Sequence, residues 1–129
     1  MPTVLVIDDD PMVRSLLAHA LKGAGYDVID AADGHEGLQL ARSRMPDLVV
    51  TDLVMPVQEG VETILTLRKE RPRLPIIAIS GGASHSRLYL DIAGRIGARR
   101  ILPKPFTPKE LLALVEQVLA EKNPRDPSS

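Results

Sequence analysis

Short β-branched runs alternate along this chain with longer stretches of helical spacing. The runs are Thr3–Ile7 (TVLVI), Tyr26–Ala31 (YDVIDA), Asp47–Thr51 (DLVVT), Leu74–Ser80 (LPIIAIS) and Arg99–Leu102 (RRIL). Their length and β-branching predict five strands. A first helix is predicted with Asp10 as N-cap and Pro11 at its first position. Val13, Leu16, Leu17, Ala20, Leu21 and Ala24 form its apolar face, and Gly23 and Gly25 stop it. A second helix runs from about His35 to Met45 on Leu38, Ala41 and Met45. A third runs from about Val61 to Arg71 on Val61, Ile64, Leu65 and Arg68, ending before Pro72. The fourth, about Ser86 to Ile96, is less regular, with Leu88, Ile92 and Ile96 on one face. The fifth opens on Thr107-Pro108-Lys109-Glu110, a capping box, and buries Leu111, Leu112, Val115, Val118 and Leu119.

Five strands alternating with five helices predict an α/β fold: a parallel sheet covered on both faces, (βα)₅ and doubly wound, a flavodoxin-like three-layer sandwich. Right-handed crossovers restrict the topology, and 2-1-3-4-5 is the economical strand order. One domain is expected over residues 1–122. The polar, proline-rich segment 123–129 (NPRDPSS) is expected to be disordered.

Composition narrows the function by exclusion. The 129 residues carry a formal net charge of −1, which gives no reason to expect nucleic acid or an anionic membrane as partner. With no cysteine, thiolate catalysis, disulfides and cysteine-bound zinc are out. The aromatics are Tyr26, Tyr89 and Phe106, too few for a base-stacking platform. No apolar run nears the roughly 20 residues that span a bilayer. The acidic MPTVLVIDDD start does not read as a signal peptide, so a cytoplasmic location is expected.

The candidate chemistry lies at strand ends. In the order 2-1-3-4-5 the crevice opens between strands one and three. Asp8 and Asp9 follow strand one, Asp52 ends strand three, Ser80 ends strand four and Lys104 follows strand five. Like charges about 4 Å apart repel by about 4 kcal/mol at an effective dielectric near 20. A hard divalent cation such as Mg²⁺, which needs one or two carboxylates besides water, removes that repulsion. A carboxylate can also be a nucleophile and form an aspartyl-phosphate, with Lys104 and the Ser80 hydroxyl placed to meet the phosphoryl oxygens. Gly81 and Gly82 leave room beside Ser80. Taken singly, Asp52 is a strand-ending aspartate, Ser80 a turn former and Lys104 a solvated lysine. Their convergence favours function. Asp10 reads as an N-cap only, His19, His35 and His85 as surface residues, and Arg99 and Arg100 as exposed charges starting strand five.

The motifs VIDDDP, DLVMP, AISGG and PKPF, in that order over about Thr3 to Lys122, resemble the response-regulator receiver domains of two-component signalling. That family shares the 2-1-3-4-5 order. The resemblance implies that Asp52 is the phosphoacceptor. It implies that Asp9, Asp52 and the Val54 backbone carbonyl bind Mg²⁺ directly, and that Asp8 holds the ion through water. Lys104 would contact the phosphate, Ser80 would be the switch hydroxyl, and the Lys104–Pro105 bond would be cis. One position departs from the family: the switch aromatic is replaced by Ile101, which puts in question the usual relay to the face of the fourth helix, fifth strand and fifth helix.

The implied partners are a histidine kinase or phosphotransfer protein and an unidentified downstream protein. No nucleic acid through this chain and no membrane are expected, and a homodimer is compatible. The implied chemistry is self-phosphorylation and self-dephosphorylation, not enzymatic turnover. No helix-turn-helix follows Lys122; a receiver standing alone or cut from a larger protein is expected, with the free-standing form slightly favoured. Two alternatives stand beside this one. A receiver-like scaffold with phosphorylation-independent output gains weight from Ile101. A haloacid-dehalogenase-like phosphatase would use Asp8-Asp9-Asp10 as a D-x-D motif, but Pro11 and Met12 follow where Thr or Val is usual, and there is no room for a cap domain.

Overall fold

A computed structural model describes residues 1–52, 57–80 and 98–121, without the side chains of residues 57–60 and 80. The strands are β1 (Thr3–Ile7), β2 (Asp27–Ala31), β3 (Leu48–Asp52), β4 (Ile76–Ser80) and β5 (Arg100–Pro103). Among the described residues the helices are α1 (Pro11–Gly23), α2 (Gly34–Arg44), α3 (Val57–Glu70) and a C-terminal helix (Pro108–Ala120). The predicted fourth helix, with Tyr89, and the tail from Asn123 lie outside the described residues.

All strand pairs are parallel, in the order β2-β1-β3-β4-β5. The central strands are apolar on both faces, as a sheet covered on both sides requires. Alternation along each strand sorts them into two cores. Leu5, Ile7, Val49, Ile76 and Ala78 pack with Ala41 of α2 and Ile64 and Leu67 of α3. Val4, Val6, Leu48, Val50, Ile77 and Ile79 pack with Leu17 and Leu21 of α1 and Leu111, Val115 and Val118 of the C-terminal helix. The result is the expected three-layer sandwich.

The local signals for helix ends act as anticipated. Asp10 Oδ1 accepts hydrogen bonds from the backbone N–H of Met12 (2.9 Å) and Val13 (3.4 Å). Gly25, with φ +98°, turns the chain from α1 into β2, a conformation that an L side chain resists. The Thr107 hydroxyl accepts from Glu110 N–H at 3.1 Å, and the Glu110 carboxylate accepts from Thr107 N–H at 3.1 Å, completing the capping box.

Several expectations need correction. Leu16 of α1, Ala24 at its C-cap, Met45 and Leu65 are exposed instead of buried. Met45 is the C-cap of α2 in a left-handed conformation, where the chain has already left the helical face. On α3, which starts four residues earlier than anticipated, Leu67 takes the buried position. Arg99 and Arg100 are half-buried, not exposed. Arg100 pairs with Glu121 at the end of the C-terminal helix and donates to the Arg99 carbonyl at 2.9 Å.

The capping box gives a test confined to the scaffold. Thr107→Ala is expected to lower unfolding stability by about 1 kcal/mol, read by denaturant titration. An unchanged midpoint would show that the box contributes nothing.

Candidate functional site

The site forms where two rows of side chains run off the sheet. Val4 and Val6 of β1, and Leu48 and Val50 of β3, face the α1 side. Asp8 and Asp52 continue those rows. The β1–β3 register pairs Ile7 with Thr51, so the two acids emerge side by side. One carboxylate oxygen from each of Asp8, Asp9 and Asp52 lies within 4.8 Å of the other two. Lys104, just past β5, brings Nζ to 3.4 Å from Asp52 Oδ2.

Burial governs the electrostatics. Asp8 is fully buried and Asp52 is 3% exposed, whereas Asp9 is exposed. Asp8 is held by hydrogen bonds on three sides. Its N–H donates to the Ala31 carbonyl (3.1 Å), its carbonyl accepts from Arg14 Nη1 (2.8 Å), and Oδ1 accepts from Asp10 N–H (2.9 Å). Oδ2, equally buried, has no hydrogen-bond partner among the described residues. Desolvation pushes the Asp8 carboxyl up to about 6. The Asp10 N–H works against that rise, Asp52 adds to it, Lys104 opposes it and Asp9 adds a little.

A buried carboxylate oxygen without a partner is a costly feature unless a ligand completes it. The donor set around it is oxygen only, which suits a hard cation and not a soft one. The residues present therefore fit Mg²⁺. The Asp10 carboxylate is not part of this cluster: it caps α1, so the D-x-D alternative loses its second acid.

The backbone of Ser80 ends β4 beside this edge, since Asp52 registers with Ile79 and Ser80 with Pro103. Its hydroxyl, the Val54 carbonyl, Gly81, Gly82 and His85 lie outside the described residues. His19 and His35 are exposed, as expected. The Lys104–Pro105 bond is cis. Ile101 is half-buried on the opposite face, against the core under α2 and α3. The sequence reading missed Arg14, which reaches the Asp8 carbonyl, and the Asp10 N–H. Their only signal is position: Arg14 is one turn past the N-cap, and main-chain donors leave no mark in a sequence.

A model of the family described as "Response regulator receiver domain" matches residues 4–116. The chain belongs to this family. Receiver domains are signalling modules of two-component systems rather than enzymes in the ordinary sense. Among curated relatives, the chain is 35% identical over 126 residues to the alkaline phosphatase synthesis transcriptional regulatory protein PhoP of Bacillus subtilis, covering 98% of this chain and 52% of that protein. It is 40% identical over 123 residues to the response regulator MprA of Mycolicibacterium vanbaalenii, covering 95% of this chain and 52% of that one. The chain thus spans about half the length of these relatives.

Two solved receiver structures extend the likeness. The CheY-like receiver domain protein of Methanospirillum hungatei superposes with a TM-score of 0.85 at 28% identity, covering 93% of this chain and 94% of that one. Chemotaxis protein CheY4 of Vibrio cholerae gives 0.84 at 33%, covering 92% and 98%. Among the described residues of this receiver domain, no helix is long and apolar enough to cross a membrane.

The raised Asp8 carboxyl has a definite sign. Between its ordinary value of 3.8 and about 6, the folded protein keeps a proton that the unfolded chain has lost. Stability from Asp8 is therefore full below the ordinary value and falls as pH rises through about 6. In metal-free protein, Asp8→Asn is expected to be the more stable form at neutral pH by on the order of 2 kcal/mol. The gap should close by about pH 4, measured by urea unfolding at both pH values. An equal gap at the two would contradict it.

Proposed function

We propose that this receiver domain, residues 1–122, accepts a phosphoryl group on Asp52 from the phosphohistidine of a histidine kinase or phosphotransfer protein. The observation that carries this reading is the meeting of the Asp8, Asp9 and Asp52 oxygens within 4.8 Å, with Lys104 3.4 Å from Asp52. A carboxylate oxygen of Asp52 attacks phosphorus, the phosphorus–nitrogen bond to the donor imidazole breaks, and the imidazole nitrogen keeps the electron pair. Asp9, Asp52 and the Val54 carbonyl would hold Mg²⁺ directly, and Asp8 through water. When bound, the ion supplies positive charge against the acids and the incoming phosphoryl oxygens.

Lys104 is the protein's own counter-charge. Its ammonium already sits at Asp52 and would follow the charge onto the phosphoryl group. The Ser80 hydroxyl would hydrogen-bond to that group and draw the end of β4 with it. The domain's product is a shift in population between two arrangements, which changes the surface offered to a downstream protein. The transcriptional output named for PhoP is not assigned to this chain, which spans about half of that protein. The reading places the protein in the cytoplasm, with no nucleic acid or membrane contact through this chain and with room for a homodimer. With Ile101 in place of the aromatic, the relay has no ring to swing.

A small phosphodonor with Mg²⁺ is expected to add the mass of one phosphoryl group to the intact chain. Asp52→Asn should gain none, and chelation of Mg²⁺ should stop labelling of the parent. Phosphorylated Asp52→Asn would refute the assignment of the site.

A further inference from the structure

Arg14 connects three elements around the acidic pocket without belonging to it. Its Nη1 donates to the Asp8 main-chain carbonyl at 2.8 Å. Its Nε stands 3.4 Å from Oδ2 of Asp30 on β2. The side chain itself projects from α1 and is 20% exposed. We propose that Arg14 is a positioning residue, which fixes the Asp8–Asp9 peptide between α1 and β2 and thereby sets where both carboxylates stand. The inference rests on the reading of the pocket as a Mg²⁺ site.

The guanidinium holds a main-chain atom of Asp8, not its carboxylate. The carbonyl of Asp8 shares a peptide plane with the N–H of Asp9, and that plane is rigid. A bond to the carbonyl therefore fixes the direction in which Asp9 leaves β1. On the other side of Asp8, its N–H extends the β1–β2 ladder to Ala31. With both neighbouring planes held, Asp8 has only its side-chain torsions left, and the Asp10 N–H on Oδ1 fixes those. What stays available is Oδ2, buried and without a partner among the described residues. Such ordering of ligand groups by groups behind them is worth about 10–100-fold in metal affinity.

Arginine suits the task because its planar fork presents several N–H donors in fixed directions, here one to a carbonyl and one toward a carboxylate. Asp30 is about half-exposed, so this ion pair contributes little stability by itself. Its use is to orient the fork. A lysine keeps the charge but offers one nitrogen for two targets.

The test compares the parent with Arg14→Ala and Arg14→Lys by two readouts. The first is amide hydrogen exchange by NMR. In Arg14→Ala the Asp10 amide is expected to exchange about tenfold faster or more, the factor for losing one hydrogen bond to a charged group. The Val115 and Val118 amides of the C-terminal helix should be unchanged. The second is Mg²⁺ affinity by calorimetry, where Arg14→Ala is expected to weaken binding at least about tenfold, with Arg14→Lys in between. Unchanged Asp10 exchange overturns the inference, and so does a uniform acceleration shared by Val115 and Val118. Mg²⁺ affinity equal to the parent's overturns it as well. A parent that takes up no Mg²⁺ defeats the proposed function instead, and the exchange result alone then decides the role of Arg14.

Discussion

Two carboxylates, Asp8 and Asp52, are kept out of water at the ends of neighbouring strands. Everything else around the site answers to that constraint. At about 4 Å two like charges repel by about 4 kcal/mol even at an effective dielectric near 20, and desolvation adds to this. The protein offsets it in part with the Asp10 N–H on Asp8 and the Lys104 ammonium at Asp52. It does not offset it fully. Among the described residues three acids stand against the Lys104 ammonium, Asp8 holds its proton up to about 6, and Oδ2 of Asp8 has no hydrogen-bond partner. The pocket is built with a deficit of positive charge, which is the physical content of a cation site.

Sheet topology explains why these residues meet. Where strand order reverses, α1 after β1 and α3 after β3 pack on opposite faces of the sheet, and a crevice lies at the strand ends between them. Asp8 and Asp52 flank it. Lys104 comes from β5, with β4 between it and β3. Two strand spacings amount to about 10 Å, so the group that closes this gap needs a long stem. Lysine has one, and its single ammonium reaches Asp52 across the end of β4. A shorter cation at the same place would not arrive.

Most of this was legible because periodicity reports burial. The parallel sheet and the strand-end residues followed from runs such as TVLVI and from the caps Asp10 and Thr107, whereas the strand order rested in part on the family resemblance. The errors have more than one cause. Leu16 and Leu65 are apolar and fit a helical stripe, yet they are exposed, because periodicity says which residues share a face and not how far the neighbouring layer extends over it. Met45 is exposed because it is the left-handed C-cap, where the helical face has ended. Arg99 and Arg100 failed in the opposite way: charged residues read as solvated, but Arg100 has Glu121 within reach, and that pairing joins residues far apart in sequence. Arg14 was invisible for a similar reason. Its partner is a main-chain carbonyl, and a sequence does not label carbonyls.

The position of the pocket also settles how the fold tolerates it. The two cores divide at the sheet, and the acids stand at the rim of the one under α1 and the C-terminal helix. Beneath them Val4, Val6, Val50, Ile77 and Ile79 are fully buried. Those five side chains alone are worth about 1.5–3 kcal/mol each on burial, several times the penalty estimated for Asp8. The charged site is thus carried by its own half of the core. Ile101 lies on the other side of the sheet, in the core under α2 and α3. Among the described residues, Asp52 and Ile101 share no core cluster. What joins them there is the strands themselves, along the β3–β4 and β4–β5 ladders that register Asp52 with Ile79 and Ala78 with Ile101.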